Sequence, residues 1–421
     1  MSQDMASSPR DKRLAAATDV CVKCGLCLPQ CPTYLKTSDE NESPRGRLSL
    51  IQGWAQGALD LTPKLKGHID QCLLCRSCEA ACPANVSYGK IVDDFRAHIH
   101  DYALDSSDNH RRINDTVLGF LKGGQPRLVQ SGLGHLARTS AGKSIAKRFG
   151  LEAMTQGLPD LQPGIRHISE GSYPALTKEP QGRAQLFLGC TSTLLDAETL
   201  DSAVALLNIL GITVDVPENQ GCCGALDLHA GVSAEAERLK TANEKAFRSD
   251  SSTAVISCAS GCGATLQDYD NEKGSIGSRH IDISTYLDTL PWPEDVAIAP
   301  SNASILVHTP CSLRNVQKVP EPPLRLIKKI KGLTIRSIPA NIRCCGASGS
   351  FMLNHPEEAR KYRKDVLDQA IESVPTVLIS SNPGCAAHLR AGLKELGLEI
   401  EVMHPVTLLW RQVRAARNSP L

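Results

Sequence analysis

The chain carries 17 cysteines among 421 residues, and their spacing is far from random. Eight lie between Cys21 and Cys82 in two copies of one pattern, Cys21-Val-Lys-Cys24-Gly-Leu-Cys27-Leu-Pro-Gln-Cys31-Pro32 and Cys72-Leu-Leu-Cys75-Arg-Ser-Cys78-Glu-Ala-Ala-Cys82-Pro83. Three thiolates on a tight loop can hold three corners of an iron-sulfur cubane. A fourth, set beyond them before a proline, points away to the partner cluster. On that logic Cys21, Cys24, Cys27 and Cys82 serve one [4Fe-4S] cluster, and Cys72, Cys75, Cys78 and Cys31 serve a second. Zinc takes its four ligands as two pairs, a division these runs do not follow.

The other nine cysteines mark a duplication. Cys190 and Cys311 stand 121 residues apart, Cys222-Cys223-Gly224 and Cys344-Cys345-Gly346 stand 122 apart, and Cys262 and Cys385 stand 123 apart. Pro217 matches Pro339, and Ile281-Asp282-Ile283 matches Met403-His404-Pro405 at the same offset of 122. Adjacent cysteines make a poor disulfide. They suit a multi-iron cluster, whose separate irons each take one thiolate. A buried free cysteine acting as a small apolar residue explains any single position, but not nine in register.

These thiols need elements to position them. Ala184 to Leu188 and Ser304 to Val307 read as strands ending at a cysteine, as do Val255 to Ser257 and Val377 to Ile379. Leu194 to Leu210 and Leu324 to Ile330 have helical periodicity. The second half therefore reads as a duplicated α/β domain, with cysteines gathered where parallel strands end, the edge at which open α/β sheets place ligands. The expected division is 1–100 for a small α+β or α-helical cysteine module, 101–181 for a helical linker, and 182–300 and 301–421 for the two repeats. Ser43-Pro44-Arg45-Gly46-Arg47 is expected to open a helix, its two arginines either contacting a cluster edge or a partner or, as the ordinary expectation, forming a solvated basic turn. The stretch Thr116 to Leu151 has no acidic residue and suits either a solvated helical face or docking to an acidic partner or anionic membrane. Ala141-Gly142-Lys143-Ser144 imitates the end of a phosphate loop, but Ala137 stands where the motif needs glycine. His229, His308 and His388 lie near the cysteine loops and could serve as ligands or proton donors, but satisfied surface or core histidines are the ordinary expectation.

Composition narrows the function. A net charge of +1 and 4% aromatic residues give no footing for nucleic acid. Met1 to Val20 carry no apolar signal core, and Ala205 to Val214 is broken by Asn208 and Gly211, so neither a secretory signal nor a transmembrane segment is expected. So many free thiols point to a reducing cytoplasm. No G-x-G-x-x-G joins a strand to a helix, so flavin or nicotinamide chemistry is assigned to another chain.

The two cysteine runs resemble bacterial two-cluster ferredoxins with a long insertion, and the second half resembles the CCG, or heterodisulfide-reductase-type, cysteine-rich domains. Together with Ser43 to Arg47, Gly221 to Gly224, Cys344 to Gly346, Ser381 to Cys385 and His404-Pro405, the whole chain resembles the iron-sulfur subunits of glycolate oxidases (glycolate dehydrogenases). That resemblance implies an electron-transfer subunit beside an FAD-containing oxidase subunit that turns glycolate into glyoxylate. Membrane quinone is the implied acceptor, reached from a peripheral position on the cytoplasmic face of the inner membrane. It also implies an additional cluster on the single cysteine, the double cysteine and a later C-x2-C pair. Here the first repeat has the wider Cys258-Ala-Ser-Gly-Cys262 and the second keeps only Cys385, so one cluster in the first repeat or one bridging both is the expectation. The alternatives are a heterodisulfide-reductase-like subunit, an iron-sulfur subunit of another hydroxy-acid or glycerol-3-phosphate dehydrogenase, and, in another class, a non-catalytic redox or iron sensor.

Overall fold

In the computed structural model the described residues are 8–100, 139, 157–159, 164–248, 250, 252–342 and 344–418. The basic stretch at 116–151 and the phosphate-loop imitation at 141–144 lie outside them, residue 139 apart.

Residues 8–100 form a helical module. Ser8 caps α1 (Pro9–Asp19) by accepting from the Asp11 amide at 3.1 Å. Ser43 caps α2 (Pro44–Ala55) by accepting from the Gly46 amide at 2.9 Å, with Pro44 in the first turn as expected. Gly46 is required there, because a Cβ would stand 1.8 Å from the Glu40 carbonyl oxygen. In α3 (Tyr88–His100), Ile91, Val92, Phe95 and Ile99 recur at helical spacing and are buried against Ile51, Trp54 and Ile69 of the module's core. Trp54 and Phe95 meet edge-on with ring centroids 5.1 Å apart.

The duplication appears as two parallel sheets of one topology. In the first, β2 (Gly182–Phe187), β3 (Ile212–Val216), β4 (Ala254–Ser257) and β5 (His280–Asp282) lie in the order β3-β2-β4-β5. In the second, β6 (Ser304–His308), β7 (Thr334–Ser337), β8 (Val377–Ser380) and β9 (Glu401–Met403) lie in the matching order β7-β6-β8-β9. The first sheet gains an antiparallel edge strand, β1 (Gly171–Tyr173), whose Gly171 pairs with Val216 of β3. It comes from the segment read in the sequence as helical linker.

The repeats share one apolar core. In the first, α4 (Cys190–Leu195) and α5 (Ala197–Ile209) follow β2, α6 (Ser233–Ala246) follows β3, α7 (Ser260–Gln267) follows β4, and α8 (Ile283–Thr289) follows β5. In the second, α9 (Pro322–Ile327) follows β6, α10 (Pro356–Ser373) follows β7, α11 (Pro383–Glu395) follows β8, and α12 (Pro405–Asn418) follows β9. Leu200, Val204 and Leu207 of α5 join Leu326 and Ile327 of α9 and Leu409 and Val413 of α12 in a single cluster. Thr199 and Thr407 share a 2.8 Å hydroxyl hydrogen bond across it, and Arg411 grips the Glu198 carboxylate at 2.7 and 2.8 Å. The matched positions Asp282 and His404 both start helices. The Asp282 carboxylate accepts from the Ser284 amide at 2.8 Å, and His404 Nδ1 accepts from the Val406 amide at 3.1 Å. Burial pulls the His404 pKa down to about 3, leaving the ring neutral and able to accept.

Leu207 is fully buried in this shared core. Leu207→Ala should therefore destabilise the paired repeats by about 2–5 kcal/mol, seen as a lower urea midpoint with the iron content of the folded protein unchanged.

Candidate iron-sulfur sites

The two cysteine runs fold alike because their backbones turn alike. Lys23 and Gly25 in the first loop, and Leu74 and Arg76 in the second, all have positive φ, at 55°, 85°, 47° and 55°. These left-handed residues coil each loop so that amides turn inward, and the Leu74 amide lies 3.5 Å from the Cys72 sulfur. Arg76 takes the place glycine holds in the first loop, a conformation unfavourable for a side chain. It is held there by Glu79 at 2.6 Å and by Asp268 of the first repeat at 2.6 Å.

Cys21, Cys24, Cys27 and Cys82 line one pocket, with Arg45 at its rim. Cys31, Cys72, Cys75 and Cys78 line another. Each run thus lends its proline-marked cysteine to the other's pocket. The two differ in depth: Cys24 is exposed and its three companions half-buried, whereas all four thiols of the second pocket are buried. Burial first, then neighbouring thiols, pushes Cys75 and Cys78 well above the ordinary thiol range. A metal group loading this pocket must displace those protons.

Around the deeper pocket lie Tyr88 and Thr33, which no motif announced, and Arg47 of the Ser43–Arg47 motif. The Tyr88 hydroxyl donates to Cys72 Sγ at 3.5 Å, and Thr33 Oγ1 lies 3.1 Å from Cys31 Sγ. Arg47 is not a solvated turn residue; it is 1% exposed. It donates to Thr33 Oγ1 at 2.9 Å, to the Glu42 carbonyl at 2.5 Å and to the His68 carbonyl at 2.7 Å, and it pairs with the Glu42 carboxylate. Burial alone would lower its pKa, but Tyr88, Cys72, Cys31 and Glu42 outweigh that and hold it above its usual value. Arg45 is the more exposed of the two, bonding Glu40 at 2.6 Å and the Lys23 carbonyl at 3.2 Å beside the outer pocket.

In each repeat, four cysteines meet at the carboxyl edge of the sheet. In the first, Cys190 Sγ lies 3.4 Å from Cys222 Sγ, and Cys223 is hydrogen-bonded to both Cys222 and Cys262. In the second, Cys311 is hydrogen-bonded to Cys344, Cys344 adjoins Cys345, and Cys345 Sγ lies 2.9 Å from Cys385 Sγ. Cys258 stands apart from the first group. It ends β4 on the face of Ile256, inside the core shared by the repeats, whereas Val255 faces the cysteine side. Strand alternation turns it away, and its neighbours are Asp196 and Asp282.

The pockets abut one another. Asn315, in the single π-helical turn after Cys311, donates to the Cys75 carbonyl at 2.7 Å and to Ser77 Oγ at 2.8 Å. Ser348 Oγ donates to the Leu73 carbonyl at 2.6 Å, and Leu73 packs with Cys344. Between the repeats, Ser260 and Ser312 share a 2.9 Å hydroxyl hydrogen bond, and Gln317 donates to the Ser260 carbonyl at 2.8 Å. Of the three histidines flagged in the sequence, His229 pairs with Asp93 at 3.1 Å and His388 bonds the Ala359 carbonyl at 3.3 Å. His308 instead turns to Cys345 and Cys385. A cavity of about 820 Å³ between the repeats, lined by Asp196, Arg390 and Glu401 among others, contains no cysteine and is separate from these sites.

Comparison with known proteins agrees with the two halves. The 4Fe-4S dicluster domain matches residues 17–86, and the CCG cysteine-rich domain matches twice, at 184–267 and 305–390. An uncharacterised iron-sulfur protein of Methanocaldococcus jannaschii is 30% identical over 402 residues, covering 92% of this chain and 72% of its own. The chain belongs to the dicluster–CCG iron-sulfur proteins. Other relatives of this dicluster–CCG protein include the probable glycolate oxidase iron-sulfur subunit of Bacillus subtilis, 28% identical with 92% of each chain covered. The glycolate oxidase iron-sulfur subunit of Escherichia coli is 27% identical, covering 92% of this chain and 94% of its own. Its cofactors are iron-sulfur clusters and its role is electron transfer. The pockets fit that chemistry. Each dicluster pocket gathers four cysteines, the number of thiolates a cubane takes, one per iron.

Two outcomes test this geometry. Tyr88→Phe removes a donor to a ligand sulfur. It should shift one dicluster signal to more negative potential in an EPR-monitored redox titration while the other signal and the iron content stay put. Cys258→Ala should leave iron and sulfide content unchanged, whereas Cys262→Ser should lower both.

Proposed function

We propose that this chain is the iron-sulfur subunit of a glycolate-oxidising complex. In that complex an FAD-containing partner oxidises glycolate to glyoxylate, and membrane quinone is the acceptor. The observation that carries the reading is the 92% coverage by relatives named as glycolate oxidase iron-sulfur subunits. The ligand sets are Cys21, Cys24, Cys27 and Cys82 for one cubane and Cys31, Cys72, Cys75 and Cys78 for the other. Cys190, Cys222, Cys223 and Cys262, with Cys311, Cys344, Cys345 and Cys385, are the sets for iron in the CCG repeats. Bound clusters supply one-electron chemistry, which lets a two-electron flavin be emptied stepwise.

The chain's own residues supply position. Val22 and Leu26, 71% and 56% exposed, flank the exposed Cys24 and give an apolar face on which a flavoprotein would sit. Asn315 and Ser348 fix the inner cysteine loop against the second repeat. No helix among the described residues is long and apolar enough to cross a membrane; the proposed place is peripheral, at the cytoplasmic face. The proposed division is 1–100, 101–181, 182–300 and 301–421, with β1 of the second segment pairing onto the sheet of the first repeat.

Anaerobic isolation of the chain from its native source should recover a flavin-containing partner and glycolate-dependent dye reduction. A flavin-free isolate that reduces disulfides instead would overturn this reading in favour of a heterodisulfide-reductase-like subunit.

A further inference from the structure

The two CCG sites differ at the strand end that precedes the single cysteine. In the first repeat β2 ends on Phe187, whose ring packs against Phe247 with centroids 6.0 Å apart, in an apolar cluster with Cys222, Cys223 and Cys262. In the second repeat the residue 121 positions later is His308, the last of β6. A ring nitrogen of His308 and the sulfurs of Cys345 and Cys385 all lie within 4.8 Å of one another, and all three residues are buried. No other His, Cys, Asp and Glu side chains among the described residues converge so closely in a group of three. His308 Nδ1 is hydrogen-bonded to Ser380 Oγ at 3.0 Å, across the register in which His308 faces Ser380 on β8. Such a bond orients the imidazole, as outer-shell partners of metal-bound histidines do.

We propose that His308 is a ligand, donating an imidazole nitrogen to iron in the second CCG site beside Cys311, Cys344, Cys345 and Cys385. The inference rests on the reading that this site holds iron. Four thiols and an imidazole exceed the four donors of a structural zinc, whereas a multi-iron group distributes them over separate irons. A neutral imidazole in the set leaves the site less negative than thiolates alone, and histidine ligation raises the potential of an iron-sulfur centre. The first repeat, with phenylalanine at the same place, has no such donor.

Pulsed EPR on the full chain, prepared without oxygen from cells fed natural or 15N-labelled histidine, tests this without altering the fold. The expected result is a nitrogen coupling of directly bonded strength that changes with the label. It disappears in His308→Phe, which copies the first repeat, while the dicluster signals persist and the potential of the altered centre falls. Iron analysis separates the two levels of failure. About eight irons per chain, the content of two cubanes, would sink the loaded CCG site itself. More iron with no histidine coupling, or a coupling that survives His308→Phe, would sink the role of His308 alone, whereas stoichiometric zinc in place of the additional iron would sink the iron-loaded site.

Discussion

Four thiols gathered in one pocket cannot all ionise unless something takes up their negative charge, because burial and mutual repulsion both favour the protonated form. The chain does this four times, with sixteen of its seventeen cysteines. A cationic group bound among such thiols takes the place of their protons, which would link loading to folding thermodynamically. Two unrelated devices meet this one requirement. In the helical module, paired left-handed residues wind each loop around its sulfurs. In the repeats, parallel strands deliver cysteines to a common edge with no special winding of the strands themselves.

Some of the residues that border the pockets also make the interfaces between units. Arg76 belongs to a cysteine loop and also reaches Asp268 of the first repeat. Asn315, four residues after Cys311, holds the Cys75 carbonyl. At Gly231 a Cβ would stand 2.5 Å from the Arg96 carbonyl, so the backbone of the first repeat lies hard against α3 with no room for a side chain. Close approach of the units and enclosure of the thiols are thus one feature of the packing.

Much of this was legible in the cysteine spacing. The prolines after Cys31 and Cys82 foretold the exchange between runs, and offsets of 121 to 123 foretold two sheets of one topology. Long-range pairing was not legible. Arg47 looks like surface charge until the Glu42 and His68 carbonyls are found around it, and Tyr88 sits in no motif. β1 is three residues, Gly-Ser-Tyr, with no alternation to mark it, and its partner lies 43 positions away at Asp215. Cys258, grouped with Cys262 as a cluster candidate in the sequence, is turned by the alternation of β4 away from Val255 and into the core shared by the repeats. His229, His308 and His388 look alike in sequence, and only the register of β6 on β8 sets one of them among the thiols.

The uneven depth of the two dicluster pockets gives the molecule a direction of wear. Oxidants attack thiolates according to their exposure, and Cys24 is open to solvent while Cys31, Cys72, Cys75 and Cys78 are not. Damage in air then begins at the outermost sulfur and works inward, so a partner seated over Val22 and Leu26 would also shelter the chain from oxygen.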